Sequence, residues 1–236
     1  MLRIDFISLF PDQVLSTIRH SITGRAEEKG LVEYVAVSPR EFARDARGTV
    51  DDTPAGGGPG MVMMAEPVRD ALLSLPVEAS RAVVVTDPTG VRFEQSHARE
   101  LASLFQVVFV CGHYEGIDDR FRQRYATHSF SLGDFILTGG ELPALVMTDA
   151  VVRLLPGVLG SPESLDIDAH SDGLLSAPQF TRPDVFEGLE IPAVLKSGDH
   201  GAIARWKRQM SLRLTRSSRP DLFARAELGK SDLELL

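Results

Sequence analysis

The chain opens on an apolar run from Leu2 to Phe10, breaks at Pro11-Asp12, and then places Val14, Leu15, Ile18 and Ile22 at helical spacing. This predicts a buried strand followed by an amphipathic helix, the start of a βα unit. Further apolar runs at Val32 to Val37, Arg81 to Thr86 and Val107 to Cys111, each bounded by Gly, Pro or Asp, predict more strands. Between the last two, Ala98, Leu101, Ala102 and Phe105 give Glu94 to Phe105 a helical stripe. Strands alternating with helices predict an α/β fold whose parallel sheet is covered on both faces. Leu142 to Leu155 predicts a long helix, with Pro143 in the first turn, where a missing N–H does no harm, and Pro156-Gly157 closing it.

From Ser161 to Asp172 the periodicity stops and Ser, Pro, Asp and Glu dominate, which is the character of a linker. The expected organisation is a large domain over 1–160, a linker over 161–172 and a small helical domain over 173–236. In the last of these a short helix carries Ile203, Trp206, Met210 and Leu214 along one side and most of its cations elsewhere.

Composition narrows the setting. The 236 residues are 43% hydrophobic, enough for one large and one small core. The single cysteine, Cys111, forms no internal disulfide, so nothing calls for an oxidising compartment. The N-terminus is too short and too charged for a signal peptide, and no stretch approaches about eighteen uncharged apolar residues. A cytoplasmic protein with no membrane segment is expected. The net charge of -8 is unevenly spread: Lys196 to Arg225 holds eight basic and two acidic residues, leaving that stretch at +6 and the rest at -14. Such a segment reads either as a solvated helix face or as a local hold on a phosphate backbone.

In an open parallel sheet, ligands settle at the carboxyl ends of the strands. Three loops stand there: Thr86 to Gly90, Gly112 to Asp118, and Ser131 to Glu141 with Gly133, Gly139 and Gly140. Their glycines let backbone N–H and C=O groups approach a ligand closely, so together they favour a composite pocket over ordinary turns. A fourth loop, Gly56-Gly-Gly-Pro-Gly60, lacks the Gly-Lys-Ser/Thr ending of a phosphate-binding loop, and no Gly-x-Gly-x-x-Gly follows a strand. ATP hydrolysis and dinucleotide chemistry are therefore not indicated, and that loop reads as a cover over a site or as a hinge. His113, Glu115 and Asp118 lie close in sequence but fit no zinc spacing, so no structural metal is expected. No Gly-x-Ser-x-Gly elbow exists for a serine hydrolase.

Four segments taken together, Gly56 to Met61, Val110 to Asp118, Ser131 to Pro143 and Pro156 to Gly160, resemble the bacterial tRNA (guanine-N1)-methyltransferases, the TrmD family of the SPOUT superfamily. The similarity continues through Asp172 to Leu175, Thr181 to Pro183 and Ile191 to His200, and so spans nearly the whole chain. The resemblance implies a deep trefoil knot in the 1–160 domain, a tRNA-binding 173–236 domain, an obligate homodimer and methylation at N1 of the guanosine just 3′ of the anticodon, position 37. Carried over by position, Asp87, Pro88, Gly90, Gly112, Tyr114, Glu115, Gly116, Leu132, Gly133, Asp134, Phe135, Ile136, Leu137, Gly139, Gly140 and Pro143 would surround S-adenosyl-L-methionine. Room is left for a Mg2+ requirement. Ala55 and Phe135 stand where many relatives have Tyr, and Ser176 where many have Asp.

Guanine N1 carries a proton and delocalises its lone pair, so methylation there needs a base at N1 and a donor for charge on O6. Asp168 matches the family's base and Arg153 its arginine; from the residues alone, each reads equally as a surface side chain, and Asp166 is a second linker carboxylate. In the basic segment Arg205, Lys207 and Arg208 are expected to hold RNA, through phosphates more than bases, because cations there outnumber aromatics. Two rivals remain on the residues: a non-catalytic RNA-binding protein, and a methyltransferase of small molecules that would not need those cations.

Overall fold

The computed structural model describes residues 1–160, 170 and 172–236. The chain divides into two compact units, Met1–Gly160 and Ser161–Leu236. The first is built on a five-stranded sheet in the order β2-β1-β6-β5-β7, with β1 Leu2–Ile7, β2 Val32–Val37, β5 Arg81–Arg92, β6 Gln106–Cys111 and β7 His128–Ser131. Every neighbouring pair in this sheet is parallel. Two-residue strands β3 Asp51–Asp52 and β4 Val62–Met63 pair antiparallel outside it.

Alternation along the strands sorts the core into two layers. Ile4, Phe6, Val84, Val107 and Phe109 point to one face, where they meet α1 Pro11–Ile18, α2 Ser21–Glu28, α4 Gln95–Ala102 and α6 Glu141–Val152. Ile7, Val83, Val85, Val108 and Val110 point to the other, against α3 Ala65–Ser74 and α5 Asp119–Tyr125. Both faces are therefore covered, as the near-continuous apolar strands require.

Two local differences from the sequence reading have physical causes. The helix expected to carry Val14 through Ile22 breaks after Ile18, and Ile22 is left exposed rather than packed. The second helix turns back so closely that a Cβ on Gly24 would lie 2.4 Å from the Arg19 carbonyl oxygen, so only glycine permits the approach. The other difference concerns β5, which runs on past Thr86 with an irregularity between Thr86 and Val91. A Cβ on Gly90 would sit 2.6 Å from the Ser129 carbonyl, so glycine lets this kink press against β7.

After β7, at the sheet edge, the chain runs back across the carboxyl ends of the other strands. Gly139 bridges His113 beyond β6, the Gly140 N–H donates to the Gly112 carbonyl at 2.8 Å, and Glu141 reaches Ser8 beyond β1. That path draws three strand-end loops into one neighbourhood.

In the second unit, β8 Val185–Phe186 and β9 Leu189–Glu190 form a hairpin, followed by α7 His200–Ser218, α8 Pro220–Phe223 and α9 Lys230–Leu233. The helix expected here to be short spans 19 residues. Its buried residues are Ser211, Leu212 and Thr215, while Ile203, Trp206, Met210 and Leu214 are only partly covered. The polar residues can be buried because their hydroxyls are satisfied: Thr215 Oγ1 donates to the Ser211 carbonyl at 2.7 Å and accepts the Leu175 N–H at 2.9 Å. Among the described residues no helix is long and apolar enough to cross a membrane.

Candidate active site

The irregular stretch of β5 around Thr86–Thr89 and the loops after β6 and β7 line one cavity of about 310 Å³ at the carboxyl edge of the sheet. Of the residues expected around a cofactor, Asp87, Pro88, Gly112, Tyr114, Glu115, Gly116, Leu132, Gly133, Phe135, Ile136, Leu137, Gly139, Gly140 and Pro143 line it. Gly90 and Asp134 do not: Gly90 packs the β5 kink on β7, and Asp134 is exposed. Thr86, Thr89, His113, Phe130, Ser131 and Thr138 also line the cavity and were not singled out as cofactor neighbours. His113 fits no zinc spacing, and its place within the Gly112–Asp118 loop is the signal in the sequence that marks it as a pocket residue.

The glycines at the crossing are dictated by contact. A Cβ on Gly140 would fall 2.1 Å from Thr86 Oγ1 and 2.7 Å from the Gly112 nitrogen. One on Gly139 would fall 2.5 Å from both Glu141 Oε2 and His113 Nε2. Behind them lies a buried polar link that joins residues 133 positions apart in sequence. The Ser8 hydroxyl donates to Glu141 Oε1 at 2.7 Å and accepts the Phe10 N–H at 2.9 Å, and His113 Nε2 lies 3.5 Å from Glu141 Oε2. Only 4% of Glu141 is exposed, so this carboxylate depends on those partners. It also helps burial push the nearby Cys111 thiol well above its usual range, which leaves that cysteine an inert core residue.

The triple-glycine loop approaches the same wall. The Glu115 N–H donates to the Met61 carbonyl, the Met63 N–H to Gly116 and the Asp118 N–H to Met63, each at 2.9 Å. A Cβ on Gly60 would lie 2.6 Å from Glu115 Oε1, whereas Gly56, Gly57 and Gly58 have positive φ and open space beside them. The loop is thus anchored at one end over Glu115 and unencumbered at its tip.

Charge separates ligand classes. Among the described residues lining the cavity there is no Lys or Arg, while Asp87 and Glu115 bring two carboxylates. A polyphosphate would find no cation there. A ligand with a cationic centre, hydroxyls and a flat apolar ring would meet carboxylates, glycine backbone and the side chains of Leu132, Phe135, Ile136, Leu137 and Pro143. Among the described residues no group of three or more His, Cys, Asp or Glu is placed to hold a metal ion.

Arg153 is the C-cap of α6, partly buried, with its N–H on the Asp149 carbonyl at 3.2 Å. Asp168, like Asp166, falls outside the described residues. Arg205 and Lys207 on α7 are exposed. Arg208 is engaged within its own unit: Nε and Nη2 donate to Asp232 at 2.7 and 2.9 Å, and Nη1 pairs with Asp172. The Asp232 bonds and the pairing with Asp172 raise the guanidinium pKa, and Arg208 in turn holds Asp232 below the usual carboxylate range.

Comparison with known proteins is consistent along the whole chain. Residues 2–225 match the family described as tRNA (Guanine-1)-methyltransferase TrmD. A protein of Geobacter sulfurreducens named tRNA (guanine-N(1)-)-methyltransferase is 48% identical over 236 residues, covering 100% of this chain and 96% of its own length. Its namesake in Gloeobacter violaceus is 49% identical over 94% of this chain and 98% of its own, and that of Staphylococcus carnosus 44% identical over 100% and 96%. With that likeness running through the parallel sheet, the crossing glycines and the strand-end cavity, the chain belongs to the tRNA (guanine-1)-methyltransferase TrmD family.

Proposed function

We propose that this protein is a tRNA (guanine-N1)-methyltransferase that moves a methyl group from S-adenosyl-L-methionine to N1 of the guanosine immediately 3′ of the anticodon, position 37. The observation that carries the reading is the cavity at the carboxyl edge of the sheet, whose described lining residues bring Asp87 and Glu115 and no Lys or Arg, in a chain of this family. Its donor set fits the cofactor: Asp87 and Glu115 suit the positive charge and the ribose hydroxyls, and the Leu132–Leu137 wall with Pro143 suits the adenine. When bound, S-adenosyl-L-methionine supplies an electrophilic methyl. The chain must then orient the guanine and manage its proton. Asp168 would accept the proton from N1, leaving a lone pair on the nitrogen that forms the new bond, and Arg153 would stabilise the negative charge drawn onto O6. For Mg2+, no group of three or more His, Cys, Asp or Glu stands ready among the described residues.

A trefoil knot accounts for the return of the chain from β7 over β6 to Ser8, and the tight packing at Gly90, Gly139 and Gly140 supports that reading. A homodimer is supported by apolar side chains left exposed around the cavity and along α6: Phe135, Ile136, Leu137, Leu142 and Val146, with Ile136 79% exposed. A linker carboxylate such as Asp168 would then serve the cavity of the other subunit. The second unit would hold tRNA through the cations of α7, and a cytoplasmic setting fits a tRNA substrate.

The test is single-turnover methyl transfer to a tRNA transcript by the wild-type protein and by Asp168→Asn and Asp166→Asn. Loss of a general base costs on the order of 10²- to 10⁴-fold in rate, whereas loss of a neighbouring surface carboxylate costs far less. The expected result is near-abolition in Asp168→Asn with tRNA and cofactor still bound, and most activity kept in Asp166→Asn. Reversal would assign the base to Asp166, and full activity in both would remove the linker carboxylate from the mechanism. No transfer by the wild-type protein would overturn the function itself.

A further inference from the structure

The cations of α7 do not share one face. Arg205, Gln209, Arg213 and Arg216 recur at helical spacing along a single stripe, with Lys207 on nearly the opposite side and Arg208 turned toward the buried one. Arg205, Arg213 and Arg216 are exposed and form no ion pair among the described residues. At the amino end of this stripe the surface dips into a groove lined by Asp199, Gly201, Ala202, Arg205, Trp206 and Gln209, with Leu235 beside them.

This groove is more than a patch of charge. Gly201 and Ala202 keep part of its lining small beside the partly exposed indole of Trp206. Phe180 braces that indole, with ring centres 6.2 Å apart and planes at 58°. Polar groups of both kinds stand at the edges. Arg205 offers donors. Asp199 offers a carboxylate, of which only Oδ1 is committed to capping the helix through the Ala202 N–H at 2.9 Å. Gln209 is fixed by its Nε2–H donated to the Leu235 carbonyl at 3.0 Å, which leaves its amide oxygen directed by that bond. A flat aromatic wall with donors and an acceptor at its rim is what a nucleobase needs, and a phosphate has no use for the indole or the carboxylate.

We propose that the groove at Asp199, Arg205, Trp206 and Gln209 binds an unpaired nucleobase of the tRNA substrate by stacking on Trp206, while Arg213 and Arg216 track the phosphates beside it. This rests on the tRNA reading above and adds to it a point of base contact within the basic segment, where the sequence indicated phosphate contacts. Net positive charge along the stripe would bring the strand in, and the groove would select for a base that is free to turn out of its stack. A fully paired helix would engage the arginines and leave the groove alone.

The chain contains one tryptophan, so indole emission reports this groove alone. The wild-type protein is titrated with a labelled tRNA transcript and, separately, with a fully paired RNA duplex of equal length. Anisotropy of the RNA follows binding, tryptophan emission follows the groove, and methyl transfer to the tRNA is measured alongside. We expect both RNAs to bind, but only tRNA to change the tryptophan emission. Gln209→Leu, which leaves the Trp206–Phe180 contact in place, should weaken tRNA affinity on the order of tenfold with an unaltered salt dependence, as loss of a base contact requires. Arg213→Gln with Arg216→Gln should instead flatten the salt dependence while the emission change persists at saturation. If tRNA is bound and methylated with emission unchanged, or if the duplex changes it equally, the base-binding groove is refuted and the methyltransferase reading stands. If tRNA is neither bound nor methylated, that underlying reading fails as well.

Discussion

At the scale of single residues, the cavity is held together by contacts that admit no substitute. Gly140 has Thr86 Oγ1 and the backbone of Cys111 and Gly112 where a Cβ would go, and that backbone cannot give way without moving the end of β6. Gly140→Ala should therefore disturb the crossing itself and weaken cofactor binding at least tenfold, measured by equilibrium titration with S-adenosyl-L-methionine. A binding constant equal to wild type would mean that the loop can open without cost. Glu141→Ala should destabilise the first unit by about 1–3 kcal/mol in denaturant unfolding, because it strips the Ser8 hydroxyl of its acceptor in a buried site. Much at this scale was legible in advance. The glycine-rich strand ends announced a pocket, and their order along the chain carried the family resemblance. The Ser8–Glu141–His113 link was not legible, since its members lie far apart in the chain and only the crossing segment brings them together.

At the scale of elements, periodicity located β1, β2 and β6 to within a few residues: β6 is buried throughout and reads as an apolar run after Gln106, and β1 and β2 stay legible although Arg3, Asp5 and Glu33 interrupt them. It missed β7, whose four residues His-Ser-Phe-Ser hold one strong hydrophobe, and the apolar side it marked on α7, with Ile203, Trp206, Met210 and Leu214, is only partly covered. The packed side is carried by Leu212 with Ser211 and Thr215, whose hydroxyls look solvent-facing until their backbone partners are known. The same side explains Arg208, whose fork closes on Asp232 at 2.7 and 2.9 Å. Asp232→Asn should lower the stability of the second unit by about 1–2 kcal/mol, toward the low end for charge-assisted bonds because Arg208 remains partly exposed. Its pH dependence has a definite sign. Asp232 is held below its ordinary pKa, so the contribution is complete above the ordinary carboxylate range and is lost as pH falls through the depressed value. Thermal melts of wild type and variant should converge in strong acid and separate above it. Curves that stay a fixed distance apart throughout would show that the pair adds nothing through its charge.

At the scale of the whole molecule, the proposed reaction would draw its cofactor cavity from one chain and its linker base from a second. Mixing tests the sharing. A subunit carrying Asp168→Asn combined with one carrying Gly140→Ala should recover activity in the mixed dimer, because one of its two sites would have an intact cavity and an intact base. No recovery at all would place each site within one chain. The most direct test of the central claim is the position of the methyl itself. After reaction of an unmodified tRNA transcript with S-adenosyl-L-methionine, nucleoside analysis by mass spectrometry should find one N1-methylguanosine per tRNA, at position 37, and none in a transcript with adenosine there. A methyl on another atom or another nucleotide, or no methyl on a tRNA that the protein demonstrably binds, would contradict the account.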